Sequence, residues 1–302
     1  MEVIFSQQLI LFVFVVAGYL LCKTGTVKQE HSRILSAALV YVFLPCNVFK
    51  TFSSRFTTSY IAQNSGLLLL SVCLILGIMA AAHLIAKLLS KNSYERVIYE
   101  YSMVIPNYGY MGYALAEALL GEAGLMNLMA FALPASLYIY TVGYARLTKS
   151  GFRPKSLLSP TIIATVLGIG AGLLELPVPE IVTTVMTKAS ACMAPVSMLL
   201  TGIVIAGFPL KKILSNPKIY PLTAIRLVAL PMLGLLLRLF CDTAAVQTAV
   251  LFLALPCGLN TVVFPKLVDE NCELGAGIAL VSTVLACITL PLILSLFGIG
   301  ML

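Results

Sequence analysis

VIPNYGYMGYALAEALLG, residues 104–121, sits inside a long apolar stretch and interrupts it with Pro106, Asn107, Gly109 and Gly112. A segment crossing hydrocarbon needs roughly 20 mostly apolar residues, with every backbone group satisfied internally. Proline has no N–H and clashes with the preceding turn, so it frees carbonyls. Glycine tolerates the unwound chain that results. Such backbone survives at membrane depth only where protein buries it or where it lines a cavity. The stretch therefore reads as a membrane span broken on purpose.

The rest of the chain agrees. Of its 302 residues 60% are apolar and only 10% are charged. A water-soluble domain of this length has no interior large enough for that much apolar surface. The apolar runs are continuous and do not alternate, which favours helices over a barrel. The net charge of +7 reads as topological signalling to the cytoplasm, not as a nucleic-acid footprint. MEVIFSQQLILFVFVVAGYLL lacks a basic leader and a small-residue cleavage site, and so reads as the first span. The eight cysteines form no C-x-x-C pair and read as packing residues. His31 and His83 have no partner at metal-ligand spacing, so neither a metal nor a cofactor is expected.

Ten spans are predicted, near 4–21, 32–51, 64–86, 97–119, 124–145, 158–174, 181–206, 219–240, 245–265 and 275–299. Charge tests the count. With the N-terminus outside, the cytoplasmic loops and their flanks hold Lys23, Lys28, Arg33, Lys87, Lys91, Arg96, Arg146, Lys149, Arg153, Lys155, Lys211, Lys212, Lys218 and Lys266. That is 14 of the 19 basic residues, whereas the outer loops hold Lys50 and Arg55. The bias puts both termini outside a cell membrane.

The prolines carry a second pattern. Pro45 and Pro106 are 61 positions apart, Pro195 and Pro256 are also 61 apart, and the pairs are offset by 150. Half the chain therefore looks like a copy of the other half: 1–148 and 158–302, joined by a cytoplasmic linker at 149–157. Five spans per unit force the second copy upside down. Inverted repeats with interruptions at matching places are a signature of secondary transporters. All four prolines are expected helix breaks, with the fourth and ninth spans meeting near the midplane. Asn107 and Asn260 lie at those two breaks, where an amide can donate to a carboxylate or satisfy freed backbone.

The text VIPNYGYMGYALAEALLGEAG, together with residues 254–294, GYLLCKTGTVKQEHSRILSAALVYVFLPCNVF and MAPVSMLLTGIVIAGFPL, resembles the auxin efflux carrier family over nearly the whole length. Its short linker is similar to that of compact bacterial members, and the family belongs to the bile acid/arsenite/riboflavin transporter superfamily. The resemblance implies two inverted five-helix repeats, a scaffold from spans 1, 2, 6 and 7, a mobile transport domain from spans 3–5 and 8–10, an elevator-like motion and a homodimer. It implies small organic anions as substrates, including auxin and dicarboxylates such as malonate and malate. The family's substrate-contacting Asn falls on Asn107, and its second polar crossing on Gly258–Thr261. Two departures stand out. Pro265 has no counterpart in span 4, and LALPCGLNTVVF contains no acid to ligate sodium. H⁺ and Na⁺ both remain possible coupling ions.

Other residues have two readings each. Asn47, beside Pro45, either lines the site or caps a kink. Glu100 and Glu117 are either proton-coupling acids or acids near enough to the span ends to reach water. Lys188 either attracts an anion or sits at the interface, and Arg226 is expected in a structural pairing or snorkelling to the cytoplasm. Tyr108 and Tyr110 can offer hydroxyls to a pocket beside Gly109. Enzyme chemistry finds no support: H-E-x-x-H is absent, and Asp242 and Asp269 are the only aspartates. A channel or a sensor on a transporter fold remains an alternative. The expectation is an all-α secondary transporter for a small organic anion, most of all a carboxylate.

Overall fold

The computed structural model of the protein describes residues 2–149, 158–241, 243–266, 268 and 270–299. Nearly all of the linker expected at 149–157, with Arg153 and Lys155, lies outside the described residues, as do Asp242, Asp269 and the side chains of Tyr110 and Lys266. The described chain is all-helical. Its one pairing of extended backbone is a single antiparallel bridge between Pro106 and Cys257.

In chain order the helices are α1 (Glu2–Lys23), α2 (Gln29–Arg55), α3 (Thr58–Leu89), α4 (Ser93–Val104), α5 (Tyr113–Phe131) and α6 (Leu133–Tyr138), followed by α7 (Pro160–Leu173), α8 (Glu180–Ala206), α9 (Tyr220–Leu237), α10 (Thr243–Ala254), α11 (Asn260–Lys266) and α12 (Glu273–Leu296). Helix starts follow side-chain chemistry. Thr57 accepts from the Tyr60 N–H at 3.1 Å before α3, and Asn92 accepts from Tyr94 and Glu95 at 2.8 and 3.1 Å before α4. Each cap satisfies donors that the first helical turn leaves unpaired.

Among the described residues, six helices are long and apolar enough to cross a membrane by length and composition: α2, α3, α8, α9, α12 and, counted across a kink, α5. The molecule also turns aliphatic and aromatic side chains outward; Leu88 is 86% exposed and Phe240 84%. Such a surface is an aggregation hazard in water and is solvated in hydrocarbon. This is an integral membrane protein built from helices.

α5 contains a turn. Gly121 has φ 67° and ψ −169°, so two helices meet there. That backbone region is essentially closed to residues with a Cβ. The turn falls between the segments predicted at 97–119 and 124–145.

The prolines do not behave alike. The chain breaks at Pro106 and at Pro256, but α2 runs through Pro45 and α8 runs through Pro195. The expectation of four breaks is corrected to two. A helix that loses one N–H donor can continue if neighbours hold it. α2 accommodates Pro45 after a π turn, Leu39–Phe43, and α8 is clamped by helices on two sides.

Two helix pairs come closest. α1 packs on α8, and α2 packs on α7. In the first pair a Cβ on Gly202 would lie 2.0 Å from the Val15 carbonyl oxygen, and one on Gly18 would lie 2.1 Å from that of Leu199. In the second pair a Cβ on Gly168 would lie 3.2 Å from the Phe49 carbonyl oxygen. Without an aqueous hydrophobic drive between spans, small residues that let backbones touch supply the packing.

Candidate functional site

α4 ends at Val104 and the chain resumes as a π turn at Tyr108; α10 ends at Ala254 and resumes at Asn260. The two gaps lie against each other. The Asn107 N–H donates to the Pro256 carbonyl at 2.8 Å, and the Gly258 N–H donates to the Ile105 carbonyl at 3.3 Å. Each break thus satisfies backbone that the other exposes, the condition for irregular chain at membrane depth. Gly258 allows the approach: a Cβ there would lie 3.3 Å from the Pro106 oxygen.

A cavity of about 90 Å³ opens beside the crossing. That is several times the roughly 10–15 Å³ that one water needs on this measure. Pro106, Asn107, Tyr108, Gly109, Gly258 and Asn260 line it, so the structure brings together most of the residues that the sequence nominated. Val48 and Phe52 of α2 and Thr161 and Thr165 of α7 form a facing wall. Among the described residues, no charged side chain lines the cavity. A Cβ on Gly109 would meet nothing within 4 Å, which marks open space at that point.

The two asparagines have different partners. Asn260 donates through Nδ2 to the Tyr101 hydroxyl at 2.8 Å. Asn107 is buried, with 4% of its surface exposed. Its carbonyl oxygen accepts from the Met111 and Gly112 N–H groups at 3.1 and 3.0 Å. Its side chain makes no cap hydrogen bond, and among the described residues its carboxamide has no partner. A buried amide in a cavity wall is costly unless something else completes it. Tyr108 shares a hydrogen bond with Ser136 at 2.8 Å and stacks on Phe252.

Other nominated residues lie elsewhere. Asn47 is buried against α8, its Nδ2 3.6 Å from the Met193 sulfur. Thr261 is buried under α12, its Oγ1 3.4 Å from the Gly258 and Gly275 carbonyls. Glu117 and Lys188 are exposed and do not line the cavity. Glu100 is buried outside the cavity, paired with Arg146 and 3.0 Å from His83 Nδ1.

Sequence reasoning read Tyr101 as a packing or interface-belt residue and passed over Ser136, Thr161 and Thr165, because a lone hydroxyl in an apolar helix carries no periodic signal. It noticed Arg226 and underrated it. That side chain is 0% exposed and donates to Met103, Phe252 and Leu255 carbonyls at 2.8, 2.9 and 3.0 Å. It ties α4 and α10 together where both end.

Broken helices that cross beside a mostly apolar cavity with a few polar side chains are the arrangement of a membrane transporter. Comparison with known proteins agrees. The chain belongs to the family described as Membrane transport protein, that of the auxin efflux carriers, whose model matches residues 3–153 and 152–294. It is a transporter rather than an enzyme. It is 25% identical over 305 residues to a Rhizobium meliloti protein named "Putative malonate transporter", covering 96% of this chain and 95% of that one. It is 32% identical over 121 residues to an uncharacterized transporter of Methanocaldococcus jannaschii; that match spans 39% of this chain and 38% of the relative.

Proposed function

We propose that this protein is a secondary transporter of a small organic anion, bound as a carboxylate at Asn107 beside the crossing of α4 and α10. The observation that carries the reading is Asn107: a buried residue in the cavity wall whose carboxamide has no hydrogen-bond partner among the described residues and, not being sealed off itself, opens onto the cavity. An amide N–H₂ there gives two donors to a carboxylate. The N-terminal end of the helix that follows Asn107 adds N–H groups without intrahelical acceptors and a partial positive charge. Tyr108 and Ser136 add hydroxyls, and Val48 and Phe52 suit an apolar body. A relative's name points to malonate as one carboxylate to test.

The architecture proposed with this site is ten crossings in two inverted five-helix repeats, in a cell membrane with both termini outside. Three things support it. The proline offset of 150 recurs in the glycines of the close-packed pairs, since Gly18 and Gly168 are also 150 apart. α1 on α8 and α2 on α7 are the pairs that exchange under such a repeat. The hydrogen bonds at the crossing run reciprocally between Ile105–Asn107 and Pro256–Gly258. The cavity lies between α2 and α7 on one side and the broken helices on the other. That is where an elevator mechanism needs its site, with α1, α2, α7 and α8 as scaffold and the remaining helices carrying substrate. A homodimer, and H⁺ or Na⁺ as a coupling ion, belong to the same reading.

The test is thermal unfolding of the purified protein in detergent, with a panel of mono- and dicarboxylates and with amines and sugars as controls. A ligand that binds the folded state raises the unfolding temperature by mass action. A carboxylate is expected to stabilise the parent and not Asn107→Ala. Stabilisation by amines or sugars alone, or a carboxylate effect that survives Asn107→Ala, would refute the assignment.

A further inference from the structure

We infer that Arg226 is a resident cation at the helix crossing, filling the place where a transporter of this construction would bind a mobile coupling cation, so that anion binding needs no metal ion. The inference rests on the anion-carrier reading only for its consequence for binding; the resident cation itself stands on the geometry of α4, α9 and α10.

Broken helices leave carbonyls pointing out of their C-terminal ends, and in transporters such ends coordinate Na⁺ or protons. Here α4 ends at Val104 and α10 at Ala254. Three carbonyls at or just past these ends, those of Met103, Phe252 and Leu255, accept from one guanidinium. Nε, Nη1 and Nη2 each make one bond, so the planar fork is engaged on every nitrogen.

A guanidinium with no exposed surface needs a compensating negative charge. Among the described residues no carboxylate pairs with Arg226; its partners are carbonyls. Each helix C-terminus carries about −0.5 charge, so two together supply about −1 against the +1 of the side chain. The match accounts for a buried arginine without an acid. The local backbone is specialised as well: Arg226 lies in a π turn, Ile225–Ala229, inserted in α9. Such turns concentrate at functional positions because they re-aim side chains.

With its C-terminal ends neutralised internally, the crossing leaves the positive N-terminal end after Asn107 free to act on an anion. A covalently held cation cannot dissociate, so it cannot couple an ion gradient to substrate movement.

The experiment measures apparent affinity for malonate and for indole-3-acetate from thermal unfolding of the full-length protein, in sodium, potassium and choline chloride. For the parent, affinity is expected to change by less than about twofold between salts, whereas a coupled ion changes it roughly 5- to 150-fold. Arg226→Gln is expected to unfold at a lower temperature and to be restored by low-millimolar guanidinium, which has no such effect on the parent. A parent whose anion affinity rises fivefold or more with sodium overturns the inference, as does an Arg226→Gln protein as stable as the parent and indifferent to guanidinium. If Arg226→Gln does not fold, Arg226→Lys replaces it: the charge is kept and the fork lost, so sodium-independent affinity with reduced stability is expected, and sodium-dependent affinity overturns the inference. If neither anion shifts the parent, the carboxylate reading fails by itself, while guanidinium rescue still decides whether a resident cation holds the crossing.

Discussion

Replacing Arg146 by Gln is expected to destabilise the protein more than replacing Glu100 by Gln, although both changes remove the same ion pair. The reason is burial. The side chain of Glu100 is 7% exposed, that of Arg146 36% and that of His83 54%. In Glu100→Gln no charge is left buried, because Arg146 is partly exposed, and the new amide still accepts one hydrogen bond. The loss is about 1–2 kcal/mol, between an exposed pair and a single charge-assisted bond. In Arg146→Gln a carboxylate stays buried with only His83 beside it. Stranding a buried charge costs about 3–5 kcal/mol, and the remaining partner lowers this to about 2–4 kcal/mol. The double variant removes the stranded charge and should be more stable than Arg146→Gln alone. Thermal and denaturant unfolding of the four proteins in one detergent makes a double-mutant cycle. Equal losses for the two single variants, or a larger loss for Glu100→Gln, would refute the reasoning. The cycle also bears on whether Glu100 couples transport to protons. A residue that only ties α3 and α4 to the segment after α6 leaves the carboxylate-induced stabilisation in place when it becomes Gln.

Three further outcomes follow from the same geometry. Thr161 lines the cavity, and its hydroxyl is buried without a partner; Thr161→Val should leave the unliganded protein within about 1 kcal/mol of the parent. If that hydroxyl meets the anion, the variant should bind roughly 10- to 100-fold more weakly, the size of one hydrogen bond to a charged group; unchanged affinity in the thermal titration would exclude the contact. Gly202→Val drives a side chain into the Val15 carbonyl and should cost about 1–3 kcal/mol in unfolding measurements, so a neutral effect would mean that α1 and α8 are less closely packed than described. Burial raises the Glu95 carboxyl, but hydrogen bonds from Lys218 and Ser90 and the Lys218 charge outweigh it and hold the group below its usual range. Its contribution is therefore present above the unfolded pKa of about 4.3 and lost as pH falls through the lower folded value. With Lys218 half exposed the amount is below about 1 kcal/mol; unfolding followed into acid should fall more steeply for the parent than for Glu95→Gln, and parallel curves would count against the pairing.

The apolar segments were legible because hydrocarbon imposes a length and a composition that no other solvent does. Each predicted span overlaps a helix, and the interruptions at Pro106 and Pro256 were visible as polar and glycine residues where none belong. Pro45 and Pro195 were misread because a proline signals a missing donor, not the neighbours that compensate for it. Asn47 was nominated by its nearness to Pro45, but helical rotation turns it toward Met193. Glu117 and Lys188 are charges near span ends, where depth alone cannot separate a site from a surface. Thr161 was invisible for the opposite reason: threonine is ordinary in an apolar helix, and only the fold sets it opposite Asn107.

Asn107 and Asn260 both lie at a break, and the structure treats them differently. The offset of 150 that relates Pro106 to Pro256 sets Cys257, not Asn260, at the place of Asn107; Asn260 comes three residues later. The partner sets differ because the neighbouring residues are not duplicated. Tyr101 stands within 2.8 Å of Asn260 and takes up its amide. Asn107 faces Pro106, Gly109 and open volume, and among the described residues nothing takes up its own. The crossing thus holds Asn260 in the framework and leaves the Asn107 carboxamide without a partner among the described residues. Arg226 makes the same division at the opposite ends of the helices. One side chain satisfies carbonyls from both breaks, which a symmetric arrangement would meet with two. Arg226 and Tyr101 tie the crossing together by hydrogen bonds, and the proposed binding at Asn107 uses the one of its two asparagines that they leave unengaged.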